Sequence, residues 1–289
     1  MRRRIAGETD PEKVERLAGR RSGLDNPAAM ARERHEGGER WFFLDPAAPE
    51  GAPRLLPDDE RHALKVLRLE PGSRVVALDG EGTAFDLELA DVRRGEALWR
   101  LQGELATEPE PGAPNSALPW LEVAVAPPKG ARADELVERL VQLGVASVVL
   151  LSAERTQSFA REQVGERLER WGRLAREQCK QCRRLWLPEL AGPVDPALHL
   201  RSHPASAQFW LDPRAATPLA ALLTEPSAGT RCAPLRLWIG PEGGWSPAEE
   251  ELFRGAEVCA AALVPHVLRV ETAAEAAAAI ALHAAWRRG

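Results

Sequence analysis

Five short apolar runs separated by helical stretches govern what the second half of this chain can fold into. WLEVAVA (120–126), SVVLL (147–151), AQFWL (207–211), LRLWI (235–239) and VCAAAL (258–263) read as strands. Residues 131–143, 161–185, 246–255 and 270–287 read as helices between or after them. Short strands alternating with helices predict an α/β unit with a mainly parallel sheet. No internal repeat is visible.

The segment before it has another character. From RWFFLD (Arg40–Asp45) the chain reads as a helix, a turn, two strands around DGEG (Asp79–Gly82) and a further strand, ALWRLQGEL. Asp58 or Asp59 is placed to cap the helix, with Leu64 and Leu67 on its apolar side. Residues 40–105 are therefore expected to form a small, mostly β domain. ATEPEPGAPNSALP (106–119) reads as a linker, because its prolines and glycine suit neither helix nor sheet. The second domain spans 120–289. Residues 1–39 mix both charges densely with few large apolars and are expected to be a mobile extension, with Met30 a second candidate start.

Composition excludes several classes. Hydrophobic residues are 44% and charged residues 28%, which is ordinary for a globular protein. No apolar run approaches the roughly 20 residues of a membrane helix. MRRRIAGETD lacks the apolar segment of a signal peptide, so the expectation is a cytoplasmic protein away from membranes. A net charge of −5 leaves room for a basic patch among 38 Lys and Arg. Cys179 and Cys182 form a CxxC, but no second pair accompanies it, so no metal is expected. Leu168, Trp171, Ala175 and Cys182 read as one apolar helix face, which assigns the cysteine to packing.

Two stretches carry chemistry. In LWIGPEGGWSPAEEELF (237–253) an apolar run stops at Gly240 and a helix starts after Ser246. Ser246, Pro247 and Glu249 match a capping box, which assigns Ser246 to capping rather than to nucleophilic attack. The glycines permit positive φ and close approach of a ligand to the main chain. Neither a P-loop lysine nor GxGxxG spacing is present. Glu242 would repel a phosphate; it is either a solvated turn carboxylate or a partner for a cation, amine or ribose hydroxyl. In VPHVLRVETAAEAAAAIALHAAW (264–286) an arginine, a carboxylate and a threonine meet at the start of an Ala-rich helix. Thr272 or Glu271 could equally be a plain cap there.

Taken together, IGPEGGWSPAEEELF and LRVETAAEAA resemble the bacterial 16S ribosomal RNA uridine N3-methyltransferase family, within the SPOUT superfamily. RWFF with RHALKVLRLEPGS, PPKG with LVQLGV, SAERT and QCRRLWLPE match further segments in the expected order, so the resemblance covers about residues 40–288. It implies a PUA-like β-barrel before an α/β SPOUT domain with a C-terminal trefoil knot. It also implies a homodimer that binds S-adenosylmethionine in the knot. Ile239, Gly240, Glu242, Gly243 and Gly244 would form one wall of the cofactor pocket. Val267 and Leu268 would form the other, with Leu211 and Thr272 nearby. In this family glycine and arginine usually stand near Val264 and His266, and Lys and Glu where Arg139 and Gln142 stand.

The implied reaction removes the proton of uridine N3 and develops an anion over N3 and two carbonyl oxygens. A fixed cation would stabilise it, which nominates Arg269, with Glu271 as candidate base. Contacts to the 16S ribosomal RNA substrate are expected from Arg61, Lys65 and Arg68, which share one face at helical spacing, and from Lys129, Arg155 and Arg184. His62 matches the family but reads as structural. Two alternatives stand: a SPOUT methyltransferase acting on another RNA, and an RNA-binding protein that has lost catalysis. Cofactor binding separates the last from the others.

Overall fold

The computed structural model describes residues 40–49, 51–156, 164–223 and 229–286. The extension at residues 1–39 lies outside them. The chain divides into two compact units after Glu108.

The first unit holds a four-stranded sheet in the order β1-β2-β3-β4. Its strands are β1 (Trp41–Phe43), β2 (Arg74–Leu78), β3 (Thr83–Arg93) and β4 (Glu96–Thr107). Asp79 builds the DGEG turn between β2 and β3, its Oδ1 accepting from the N–H groups of Glu81 and Thr83 at 2.7 and 2.9 Å. Phe42, Val75, Ala77, Leu87, Leu89 and Trp99 make the core, and Leu64 and Leu67 pack against it. Ala106 and Thr107, assigned to the linker from sequence, are the end of β4.

The helix α1 (Pro57–Arg61) corrects the capping expectation. Leu56 is its N-cap with Pro57 after it, and neither aspartate caps it. Buried Asp59 instead accepts from the backbone N–H of Phe43 at 2.7 Å, and Asp58 pairs with Arg61. The chain then widens into a π-helical turn over His62–Val66. Arg68 lies beyond that turn with φ of 52°. Arg61, Lys65 and Arg68 therefore do not share one α-helical face: the widened turn and the left-handed residue break the spacing.

The second unit is built on a fully parallel six-stranded sheet in the order β10-β8-β9-β5-β6-β7. The strands are β5 (Leu121–Val125), β6 (Ser147–Leu151), β7 (Glu189–Val194), β8 (Ala207–Leu211), β9 (Leu235–Ile239) and β10 (Cys259–Ala261). The helices are α2 (Ala131–Leu143), α3 (Val164–Cys182), α4 (Pro196–Ser202), α5 (Leu219–Leu222), α6 (Pro247–Gly255) and α7 (Val270–Trp286).

Alternate residues of the central strands feed two cores, which is why LEVAV and LRLWI are apolar almost throughout. Leu121, Val123, Val125, Leu235, Leu237 and Ile239 pack with Leu136 and Leu140 of α2 and with the alanines of α7. Ala124 and Trp238 pack on the other side with Trp210, Trp245 and Phe253. Ala274, Ala277, Ala278 and Ala281 have at most 1% exposure. Their small side chains let α7 lie close against α2, β5 and β9.

Sequence reading missed β7 because its Gly and Pro argue against a strand. It is an edge strand, where a missing N–H costs no ladder bond. In α3 the buried stripe runs through Trp171, Ala175 and Cys179. Cys182, assigned to that face from sequence, is exposed, since four residues on from Ala175 is Cys179.

Candidate active site

The carboxyl ends of β8, β9 and β10 converge on one cavity of about 670 Å³, which Arg132 and Arg155, further along the chain from β5 and β6, also line. This is where an open parallel sheet exposes backbone to a ligand, and the volume suits one organic molecule. One wall is the loop Gly240–Trp245 after β9, and the other is the segment Leu263–Val270 after β10.

The first wall is rigid for identifiable reasons. Ser246 and Glu249 form a capping box at α6, with Glu249 Oε2 accepting from Ser246 N–H at 2.8 Å. The other carboxylate oxygen accepts from Glu154 N–H at 2.8 Å, so the segment after β6 is bound to the same helix start. Arg155 from that segment donates to the carbonyls of Gly243 and Trp245 at 3.0 and 3.1 Å. Trp245 turns inward and meets Phe253 edge to face, with ring centroids 4.9 Å apart.

That inward indole dictates the glycine at 240. A Cβ there would lie 2.9 Å from Cε2 and Nε1 of Trp245. Gly244 is required for a different reason, its φ of +70°. We expect Gly240→Ala to push the loop off its indole and destabilise the fold by about 1–3 kcal/mol. Thermal unfolding checks this; an unchanged midpoint with unchanged ligand affinity would show that the loop has slack.

Charge around the cavity is largely committed. Arg132 of α2 pairs with Glu242 at 2.7 Å and stands 3.9 Å from Glu271. Asp212, just past β8, binds Arg214, which reaches Glu250 at 2.5 Å. Burial pushes the Asp212 carboxyl up, but the Arg214 hydrogen bond and charge outweigh it and hold the group below the usual range. Arg269 is exposed on the second wall, and among the described residues no carboxylate or carbonyl engages its side chain.

Residues 115–282 match a family described as the RNA methyltransferase domain, and residues 57–100 match the RNA methyltransferase PUA domain. The chain belongs to the RNA methyltransferase family. The ribosomal RNA small subunit methyltransferase E of Mycobacterium bovis is 29% identical to this methyltransferase over 82% of this chain and 88% of its own length. A Legionella pneumophila methyltransferase solved with bound SAM is 26% identical, with a TM-score of 0.72 over 85% of this chain and 98% of its own. The small subunit methyltransferase E of Neisseria gonorrhoeae, solved with S-adenosyl methionine, is 25% identical, with a TM-score of 0.69 over 83% and 95%.

Most residues nominated from sequence stand together in this methyltransferase. Gly240, Glu242, Gly243 and Gly244 line one side of the cavity; Val267, Leu268 and Arg269 line the other; Leu211 and Ile239 close its base. Glu271 and Thr272 do not line it. The helix bond from Ala273 N–H to Arg269 C=O puts both inside the first turn of α7, so neither is its N-cap. Glu271 is buried and Thr272 exposed, which does not support the base and cofactor contact expected of them.

The nominated RNA ligands scatter. Lys129 is exposed beside α2. Arg155 is the loop brace already described, and Arg184 donates to the carbonyl of Val141 near the end of α2 at 3.1 Å. The departures from the family pattern fall in two places. Val264 and His266 line the cavity. Arg139 bonds Glu275 of α7 at 3.0 and 3.2 Å, and Gln142 bonds Gln178 of α3 at 2.6 Å, so both serve helix packing. Arg132, Asp212 and Arg214 were missed, because a charged residue near a helix start or strand end has no signature of its own.

Proposed function

We propose that this methyltransferase uses S-adenosylmethionine to methylate N3 of one uridine in 16S ribosomal RNA of the small subunit. It works as a cytoplasmic homodimer whose C-terminal segment is knotted around the cofactor site. The observation that carries the reading is Arg269. Four arginines line the cavity. Arg132, Arg155 and Arg214 are bonded to carboxylates or carbonyls. Among the described residues Arg269 alone of the four is left to meet a developing anion.

The cofactor fits the cavity it would occupy. Leu211, Ile239, Leu263 and Leu268 offer apolar walls for a flat base, and the glycine-rich loop Gly240–Gly244 lines the cavity beside them. The charged lip at Arg132 and Glu242 suits an amino-acid end. When bound, the cofactor supplies an electrophilic methyl group. The chain's part is positioning and electrostatics. Arg269 faces the site where negative charge spreads over N3 and the uracil oxygens. The knot draws support from the path of the chain: β10 is an edge strand, yet α7 returns to pack beneath β5 and β9 at the centre. No helix among the described residues is long and apolar enough to cross a membrane.

A second reading, a related enzyme modifying another RNA, is favoured by Val264 and His266 on the cavity wall where the family pattern has glycine and arginine. Incubation with labelled S-adenosylmethionine and small subunits from cells lacking the gene, followed by mapping, decides between them. Label at N3 of one uridine is expected. Label only in another RNA, or at a ribose, overturns the assignment.

A further inference from the structure

We propose that Arg132 is a positioning residue that holds the two walls of the cavity at their working separation through Glu242 and Glu271; this rests on the cofactor site proposed above. Arg132 is the second residue of α2, whose start is set by Gly130 at φ of 66°. Its Nη1 stands between two carboxylates, 2.7 Å from Oε1 of Glu242 on the loop wall and 3.9 Å from Oε1 of Glu271, the residue that follows the second wall. Glu242 belongs to the loop after β9, and Glu271 to the first turn of α7, two residues past Arg269.

The two carboxylates differ in what they need. Glu242 is half exposed, so water can serve it. The Glu271 side chain is only 8% exposed, and its Oε2 is buried without a hydrogen-bond partner among the described residues. An ionised carboxylate in such a place is costly unless a cation stands near. Arg132 is its only ion-pair partner among the described residues. Glu271 thus anchors Arg132 from behind the wall, and Arg132 in turn ties down the loop. The arrangement gives a role to Glu271, whose buried side chain does not line the cavity. It also separates two arginines that a list of cavity residues would treat alike. Arg132 is offset by two carboxylates and sets geometry, whereas Arg269 is left for the reacting group.

Calorimetric titration of the full chain with S-adenosylmethionine tests this without any RNA. Arg132→Met keeps the length and removes the charge, and is expected to weaken binding at least tenfold. Arg132→Lys recovers part of that loss, because one nitrogen serves both carboxylates. Adding Glu271→Gln to Arg132→Met costs nothing further, since the anchor acts only through the arginine. Should Arg132→Met fail to fold, Glu242→Gln, at a half-exposed site, is expected to lose about threefold to tenfold by itself. Wild-type affinity in Arg132→Met or in Glu242→Gln overturns the proposal. So does a double variant whose losses simply multiply. Wild-type protein that binds no cofactor at all overturns the cofactor reading instead.

Discussion

Arg269→Ala is expected to bind S-adenosylmethionine normally and to lose roughly 100-fold to 1000-fold in methyl transfer, the scale of removing one donor aimed at a developing oxyanion. The side chain lies on the cavity wall and, among the described residues, holds no part of the fold together. Its removal therefore leaves no buried charge unpaired and should barely move the unfolding midpoint. Arg269→Lys should recover little, because a single ammonium cannot face two oxygens as a planar fork does. Single-turnover transfer of labelled methyl, run beside calorimetric cofactor binding, separates the two effects. Turnover within about threefold of wild type, an order of magnitude short of the donor-loss scale, would remove Arg269 from the reaction.

The largest stability effect is expected at the opposite end of the sheet. Arg236 is fully buried in β9, in register with Glu122 on β5 and Gln208 on β8. Its Nε donates to Glu122, and its Nη1 donates to the His203 carbonyl at 2.7 Å. His199 of α4 stands 2.8 Å from the same Glu122 oxygen. Replacing Arg236 with Met strands a buried carboxylate, at a cost of about 3–5 kcal/mol, or about 10 °C in Tm for a unit of this size. Pairing Arg236→Met with Glu122→Leu should cost less than Arg236→Met alone, because no uncompensated charge remains.

The same network predicts acid sensitivity. Burial pushes the Glu122 carboxyl up, but the His199 hydrogen bond and the charge and hydrogen bond of Arg236 outweigh it and hold the group below its ordinary 4.5. A carboxyl depressed in the folded state stabilises fully above its unfolded value and loses that contribution as pH falls through the folded one. Wild type should therefore lose stability faster than Glu122→Gln below about pH 4.5. Parallel acid unfolding curves for the two proteins would contradict this.

Neither of these groups was equally visible beforehand. Arg269 was nominated as the fixed cation of a motif, LRVET at the start of an Ala-rich helix, and the structure puts it on the cavity wall. The parallel sheet was legible for a similar reason, since buried strands must be nearly all apolar and helices between them must show the 3.6 period. Glu122 and Arg236 interrupt such runs at the second position of each strand. Their pairing depends on β5 and β9 being neighbours, a fact of topology that no local pattern contains. β7 was hidden by Gly192 and Pro193, which an edge position tolerates. Glu271 shows the reverse case. Its place in the motif nominated it as candidate base, but its buried side chain does not line the cavity and stands 3.9 Å from Arg132.

Gly240 shows how far residue-level reasoning reaches. Sequence supplied the need for a bare backbone, while the reason turned out to be the Trp245 indole packed against it. The loop owes its shape to Trp245, Arg155 and Glu249 together.

The measurement that bears most directly on this account is a crystal structure of the protein with S-adenosylhomocysteine, the product left after methyl transfer. The account predicts the ligand between the Gly240–Trp245 loop and the Leu263–Val270 segment, its base against Ile239 and Leu268, and Arg269 facing open space where a uracil can enter. A ligand bound elsewhere, or an Arg269 drawn away into an ion pair, would contradict it.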